Sequence, residues 1–175
     1  MYFSGKITHT VISYLESQAC DLEGLFDLTD LSAEFLRDPT CWLEAVKVEN
    51  FLQQVDQKFG LQVSDHFLMT VVGENNHELR SWGVLDSVLK MMQKPEDIYS
   101  QPQRIFSYFV SPAPPVGQLK LSPSSVSFEF PMTDQEYPFV VEFLRASFES
   151  IPKYAGKEKA SKTTSIQINT SVKKL

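Results

Sequence analysis

Apolar residues recur at helical spacing through most of the first 110 positions. The clearest stripe lies within residues 48–59, with apolar side chains at Val48, Phe51, Leu52, Val55 and Phe59. Steps of three and four residues place such positions on one face of an α-helix, which then packs on the core. The pattern therefore predicts an amphipathic helix that ends at Gly60, since glycine readily adopts the left-handed conformation of a helix terminus.

Other helical patterns flank this stripe. We expect a helix over residues 7–16, a single turn over residues 32–36 and a short helix over residues 64–72. The segment Gly73-Glu74-Asn75-Asn76 should end the third of these, because glycine and asparagine are common helix breakers. A further helix is predicted over residues 95–109, with a kink at Pro102.

Residues 79–92 are apolar on most of a helix circumference and leave only a narrow polar strip of Arg80, Asp86 and Lys90. A helix of this kind is buried on more than one side. We interpret it as either the central helix of the domain or part of a subunit interface.

After residue 115 the period of the apolar positions changes to two. Val126, Phe128 and Phe130 alternate with polar residues after a turn-forming segment, which predicts an antiparallel hairpin with one buried face. A helix over residues 138–151 follows, begun either by a capping box at residues 133–136 or by Pro138 at its first position. A last strand is predicted over residues 165–172. The order of elements predicts an α+β fold, with several N-terminal helices followed by a small, mainly antiparallel sheet of hairpin, helix and strand.

The composition is that of one globular domain, with 175 residues of which 42% are apolar and 22% charged. Residues 1–152 carry 10 basic and 21 acidic side chains, a formal charge of −11, whereas residues 153–175 carry six lysines and one glutamate. An acidic body argues against direct binding of nucleic acid. We predict a single domain over residues 1–175, in which residues 153–175 form a lysine-rich end that includes the last strand.

The chain has no run of about 18 apolar residues, so we expect no membrane-spanning segment. Its first residues lack the charged and apolar regions of a signal peptide, and Cys20 and Cys41 form no CxxC pair. These features predict a cytoplasmic protein with reduced cysteines.

Sequence motifs of catalysis are absent, since neither a Gly-x-Ser-x-Gly elbow nor a glycine-rich phosphate loop occurs. We therefore predict no enzymatic activity and no cofactor, and an enzyme of small-molecule metabolism stays an alternative. A second alternative is a haem or metal sensor of gas or redox state, for which His66 and His9 are the candidate ligands. No HExxH motif or paired cysteine accompanies these histidines.

Large aromatic and methionine side chains occur together in neighbouring segments. Such side chains between helices and a sheet are typical of a pocket for an apolar ligand, although each of them also fits an ordinary core. The candidate ligand-binding residues are Trp82, Met91, Met92, Phe106 and Phe109.

Five segments of the chain resemble the ligand-sensing domain at the N-terminus of bacterial regulators. They are Leu36-Arg37-Asp38-Pro39, the helix through Phe59-Gly60, Trp82-Gly83-Val84-Leu85-Asp86-Ser87-Val88-Leu89, Phe106-Ser107-Tyr108-Phe109-Val110-Ser111-Pro112, and the strand over residues 126–130. Such domains precede the DNA-binding part of AraC-type regulators, and related domains precede histidine kinases. The pattern is more distantly similar to haem-nitric-oxide-binding and 4-vinyl-reductase-like folds, whose proximal His and Tyr-x-Ser-x-Arg motif this sequence lacks.

The resemblance implies a cytoplasmic bacterial sensory or regulatory domain that binds a small apolar ligand or a protein partner. It also implies signalling through a homodimer interface to an output domain or partner, such as a histidine kinase or a DNA-binding regulator. In this hypothesis, ligand contacts with residues 79–92 and 98–110 favour one packing of the helices and so change the dimer interface.

Overall fold

The computed structural model describes residues 1–63, 66–91, 99–117, 120–122, 125–128, 132, 135–154 and 167–168. Its α-helices are α1 (Gly5–Ser17), α2 (Ala33–Arg37), α3 (Ala45–Val63), α4 (Leu68–Leu79), α5 (Val84–Met91), α6 (Pro102–Phe106) and α7 (Pro138–Tyr154). Its strands are β1 (Tyr2–Ser4), β2 (Trp42–Glu44), β3 (Val110–Ser111), β4 (Lys120–Ser122), β5 (Ser125–Phe128) and β6 (Gln167–Ile168). Helices combined with small sheets confirm the predicted α+β class.

The strands form two small sheets. In the first, β1 lies between β2 and β3 and pairs antiparallel with both, so that Phe3 lies opposite Leu43 and Val110. In the second, β4 and β5 form the predicted antiparallel hairpin, and β6 pairs parallel with β5. The apolar pattern predicts none of β1, β2 and β3, because two or three residues are too few to show an alternation.

The most extensive helix contact joins α4 to α7. A Cβ atom at Gly73 would lie 2.7 Å from the Cβ of Ala146 and 2.8 Å from the carbonyl oxygen of Phe143, so only glycine fits between the two backbones. This glycine therefore serves close packing inside a helix. The predicted helix end at residues 73–76 is wrong, and α4 continues to Leu79.

The two asparagines of α4 stay helical because their side chains have hydrogen-bond partners. The Asn75 amide donates to the carbonyl oxygen of Val71 at 2.8 Å, and the buried Asn76 amide donates to the Tyr154 hydroxyl at 3.0 Å. Such partners offset the tendency of asparagine to leave a helix.

Two more helix boundaries differ from the prediction. The helix α3 passes through Gly60 and ends at Val63, because a glycine lowers helix stability by about 1 kcal/mol without forbidding the conformation. The predicted helix over residues 79–92 is interrupted by a turn in which Arg80 and Gly83 both have positive φ, and α5 begins only after it.

Pro102 and Pro138 each begin a helix. Pro102 is the first residue of α6 and does not kink a longer helix. Proline suits this position because the N–H group that it lacks has no partner within a helix at its first residue. Pro138 is the first residue of α7, as one of the two alternatives predicts. Residue 92 of the predicted helix over 79–92 and residues 95–98 of the predicted helix over 95–109 lie outside the described residues. So do Thr133 and Asp134 of the alternative capping box.

Candidate functional site

A half-open cleft of about 420 Å³ lies where the end of α4, the helix α5 and the end of α7 meet. Its lining is rich in ionisable side chains and consists of His77, Glu78, Arg80, Asp86, Ser87, Lys90, Lys153 and Tyr154. Clefts in which several polar groups converge are the usual location of binding and catalytic sites. We therefore treat this cleft as the candidate site.

Asp86 and Tyr154 form a hydrogen-bonded pair in the cleft. Asp86 is only 7% exposed, and its two carboxylate oxygens accept hydrogen bonds from the backbone N–H of Trp82 at 2.7 Å and from the Tyr154 hydroxyl at 3.1 Å. The pair joins α5 to the end of α7. It places one buried carboxylate and one phenol beside the opening of the cleft.

A chain of hydrogen bonds connects this pair to the core. The Tyr154 hydroxyl accepts from the Asn76 amide at 3.0 Å, and the Asn76 carbonyl oxygen accepts from the Ser81 hydroxyl at 3.1 Å. The hydroxyl groups of Ser81 and Thr10 are 2.6 Å apart and hydrogen-bonded. A continuous polar network therefore runs from the cleft through α4 to α1.

Burial shifts the titration of the groups in the cleft. It raises the pKa of Asp86, against the hydrogen bonds from Trp82 and Tyr154 that favour the carboxylate. It also raises the pKa of Tyr154 far above its ordinary value, and the neighbouring Asp86 charge adds to this effect. Desolvation lowers the pKa of His77, with a further contribution from Lys153, so His77 is neutral at pH 7.

Positive charge is in excess among the exposed groups of the cleft. Arg80, Lys90 and Lys153 are exposed cations, whereas Glu78 is the exposed carboxylate and Asp86 is buried. The Glu78 carboxylate lies 3.6 Å from Nε2 of His77. The exposed charges of the cleft are therefore mainly positive, although the formal charge of the whole chain is −6.

The turn between α4 and α5 positions part of this lining. Arg80 ends α4 in the left-handed conformation, with φ of 50° and ψ of 42°, and its N–H donates to the carbonyl oxygen of Asn76 at 3.2 Å. Gly83, with φ of 65°, completes the reversal. The turn therefore brings Arg80 beside Asp86 and Lys90 of the next helix.

The structure places the residues predicted for an apolar pocket in other surroundings. Trp82, Phe106 and Phe109 are fully buried in the core, where the rings of Trp82 and Phe109 are 4.7 Å apart and edge-on. Met91 is 81% exposed at the end of α5, and Met92 lies outside the described residues. None of the four described residues lines the cleft, and their role as ligand contacts stays a prediction.

Trp82 nevertheless contacts two residues of the cleft from the side of the core. Its ring stacks on that of Tyr154 with centroids 5.9 Å apart, and its backbone N–H donates to Asp86. Trp82, which the sequence predicts to line an apolar pocket, therefore supports the polar cleft.

The two candidate histidines lie on different elements. His9 is in α1, where Nδ1 is buried without a hydrogen-bond partner among the described residues, and desolvation lowers its pKa. His66 is exposed and lies just before α4. Across the part of the chain that the structure describes, no three His, Cys, Asp or Glu side chains are grouped as a metal site would need. Their assignment to haem or metal stays a prediction.

Three of the eight residues that line the cleft belong to a polar pattern visible in the sequence. Arg80, Asp86 and Lys90 are the polar strip of the segment 79–92, and a carboxylate within so apolar a stretch is a signal for a buried polar contact. Lys153 and Tyr154 carry no such signal, because the chain reaches them about seventy residues later.

No protein-family model, curated protein or solved structure matches this chain. The resemblance to N-terminal sensor domains therefore stays a prediction. Within the described ranges, every helix is too short or too polar to span a bilayer.

Proposed function

We propose that this chain is a sensory or regulatory domain that binds a small polar molecule in the cleft between α4, α5 and α7. The observation that carries the proposal is the Asp86–Tyr154 pair, which is exposed to the cleft on one side and hydrogen-bonded through Asn76 and Ser81 to Thr10 on the other. A ligand that competes for either member of the pair changes the hydrogen bonds between three helices. Such a ligand contacts one packing of the helices differently from another, and it therefore shifts the equilibrium between the two packings.

The proposed ligand differs from the apolar one that the aromatic pattern suggests. Trp82, Phe106 and Phe109 fill the core, whereas ionisable side chains surround the cleft. The proposal keeps the other parts of the hypothesis, namely a bacterial cytoplasmic domain that acts as a homodimer on an output domain or partner. Their support is the resemblance of the sequence to N-terminal sensor domains.

Tryptophan fluorescence provides a direct test of binding. The chain has two tryptophans, of which Trp42 is 44% exposed while Trp82 is 2% exposed and stacked on Tyr154. The variant Trp42→Phe leaves Trp82 as the reporter. We expect its emission to change saturably on titration with a panel of small carboxylates, phosphates, amines and polyols, and native mass spectrometry to show the bound compound at a 1:1 ratio. An emission that no compound changes would contradict the proposal.

The signalling part needs its own measurement. Sedimentation of the protein with and without the bound compound should show a change in the monomer–dimer equilibrium. If a saturating compound leaves the dissociation constant of the dimer unchanged, the protein binds the compound but does not signal through its dimer interface.

The same cleft favours an enzyme of small-molecule metabolism as the second candidate. Ionisable groups of both signs converge in it, and burial raises the pKa of Asp86, as is common for general acids and bases. Incubating the bound compound with the protein and following the compound by NMR distinguishes the sensor from the enzyme. A compound recovered unchanged supports the sensor, and a compound converted at a rate that Asp86→Asn abolishes supports the enzyme.

A further inference from the structure

We propose that the ligand of this cleft is a small organic anion, a carboxylate or a phosphate monoester, bound by the guanidinium group of Arg80 together with the ammonium groups of Lys90 and Lys153. The inference rests on the proposed function and specifies the chemistry of the ligand. It follows from the charges of the cleft. A second feature, the backbone conformation of Arg80, shows that the turn does not itself require an arginine.

The cations of the cleft outnumber its carboxylates. In the described part of the chain, no side chain forms an ion pair or a hydrogen bond with Arg80 or Lys90, and the Lys153 ammonium donates only to the carbonyl oxygen of Glu74, at 3.2 Å. Of the two carboxylates, Glu78 lies beside His77, and Asp86 is close enough to Arg80 for the guanidinium charge to lower the pKa of Asp86. Two carboxylates therefore face three cations. An anion that enters the cleft therefore meets three cations whose hydrogen-bond donors are available.

The backbone at Arg80 is the second feature. With φ of 50° it occupies the position just after a helix that glycine, and sometimes asparagine, normally fills. A side chain there strains the backbone, and Ala19, just after α1, has the same kind of conformation with φ of 54°. The conformation alone therefore assigns no role to Arg80. Glycine occupies the other left-handed position of the same turn, at Gly83. The folding of the turn therefore does not explain an arginine at position 80.

The size of the cleft limits the anion to a small metabolite. A volume of about 420 Å³ is at the lower end of the range for small-molecule sites. Asp86 repels an anionic group, so the charged end of the ligand must lie against the cations and a neutral polar part must lie toward the Asp86–Tyr154 pair. The ligand that fits is an anion that also carries a hydroxyl donor.

The test uses the Trp42→Phe protein and four probes of similar size. Glycerol 3-phosphate and glycerate are the phosphate and carboxylate probes, glycerol is the neutral probe and 1,4-diaminobutane is the cationic probe. We expect the Trp82 emission to report saturable binding of at least one anionic probe and of neither control probe. The anion that binds more tightly identifies the phosphate or the carboxylate class.

Arg80→Gly separates binding from folding. Because glycine relieves the left-handed backbone, we expect a Tm that is unchanged or higher by up to about 3 °C, with anion binding at least about tenfold weaker. Arg80→Gln should weaken binding as much while keeping the strained backbone. Ala19→Gly is the matched control, since Ala19 is exposed, also has a positive φ, of 54°, and is not among the residues that line the cleft. It should relieve the same strain and leave binding unchanged.

The outcomes distinguish the two proposals. If only the glycerol or the diamine probe binds, the anion inference is overturned and the proposed function stands. If an anion binds but Arg80→Gly and Arg80→Gln bind it as tightly as Ala19→Gly does, the assignment of Arg80 is overturned. If no probe of any charge binds, the anion inference and the proposed function both fail.

Discussion

At the scale of single residues, Glu49 shows how one side chain joins distant parts of the chain. It lies in α3 and is 9% exposed, yet its two carboxylate oxygens accept hydrogen bonds from the N–H groups of Phe139 at 2.8 Å and Val140 at 3.0 Å. These groups belong to the first turn of α7 and have no partner within that helix. Glu49 therefore caps a helix that begins about ninety residues after it.

Removing this carboxylate should destabilise the protein. We expect Glu49→Ala to lower the free energy of unfolding by about 2–3 kcal/mol, because two buried N–H groups lose their acceptor. Glu49→Gln keeps one acceptor oxygen and should lose roughly half as much. Urea denaturation of both variants measures the difference. Equal losses in the two variants would show that the hydrogen bonds of the cap contribute nothing.

Glu142 provides a prediction of pH dependence. It accepts hydrogen bonds from Arg145 in its own helix and from the Thr70 hydroxyl of α4, and the Arg145 hydrogen bond above all lowers its pKa. A carboxylate with a lowered folded pKa contributes stability above its unfolded pKa, and this contribution is lost as the pH falls through the folded value.

We therefore expect Glu142→Gln to be less stable than wild type by about 1 kcal/mol at pH 7, a modest value because the ion pair is part-exposed. The difference should shrink as the pH falls below about 4. Thermal unfolding at several pH values measures it. Thr70→Val, which retains the charge pair, should keep most of the wild-type pH dependence, and a Glu142→Gln deficit that persists unchanged in acid would refute the argument.

At the scale of elements, the crossing of α4 and α7 determines where the cleft forms. Gly73 allows the helices to touch, and the close approach brings Asn76 of α4 within hydrogen-bond distance of Tyr154 of α7. The site therefore depends on backbone packing one turn away from it.

Gly73→Ala should destabilise the fold although alanine favours helices. The added Cβ would lie 2.8 Å and 2.9 Å from backbone atoms of Phe143 and Ser147, which cannot move alone. We expect an overpacking loss of about 2–3 kcal/mol, larger than the roughly 1 kcal/mol gained in helix propensity. Chemical denaturation measures the balance.

Gly60→Ala is the matched control. Its nearest neighbours are the side-chain atoms of Asp56, at 3.2 Å or more, and within the described residues a shift of a few tenths of an ångström there disturbs only the hydrogen bond from the Leu68 N–H. We expect its stability to stay within about 1 kcal/mol of wild type. A Gly73→Ala protein as stable as the Gly60→Ala protein would mean that α4 and α7 separate at little energetic cost.

The same elements show which features of a helix its sequence predicts. Apolar periodicity locates α1, α3, α4 and α7, because the face that meets the core must be apolar wherever the helix packs. It fails at the ends of α3 and α4. Gly60 and Gly73 resemble helix ends in sequence, but the neighbouring helices and not the local chain determine whether a glycine ends a helix or allows close packing.

At the scale of the whole molecule, one apolar cluster joins the two halves of the chain. Phe3 of β1 contacts the ring of Tyr137 edge-on at 5.2 Å, and Phe106 of α6 packs against Phe148 of α7 at 4.6 Å. A single core of this kind favours cooperative unfolding.

We therefore expect one transition in urea for the Trp42→Phe protein. The emission of Trp82, which is buried between Phe109 and Tyr154, should change at the same denaturant concentration as the far-UV circular dichroism of the helices. Two transitions with separate midpoints would show that the region around the cleft unfolds independently of the rest.

The sequence by itself determined the α+β class, the positions of most helices and the hairpin, because burial of an apolar face leaves a period in the local chain. It also contained the polar strip of Arg80, Asp86 and Lys90. Only the tertiary structure decided that this strip meets Lys153 and Tyr154 in a cleft, and that Trp82 supports the cleft from the core. The physical reason is that a binding site depends on which distant side chains come into contact, and local periodicity carries no record of those contacts.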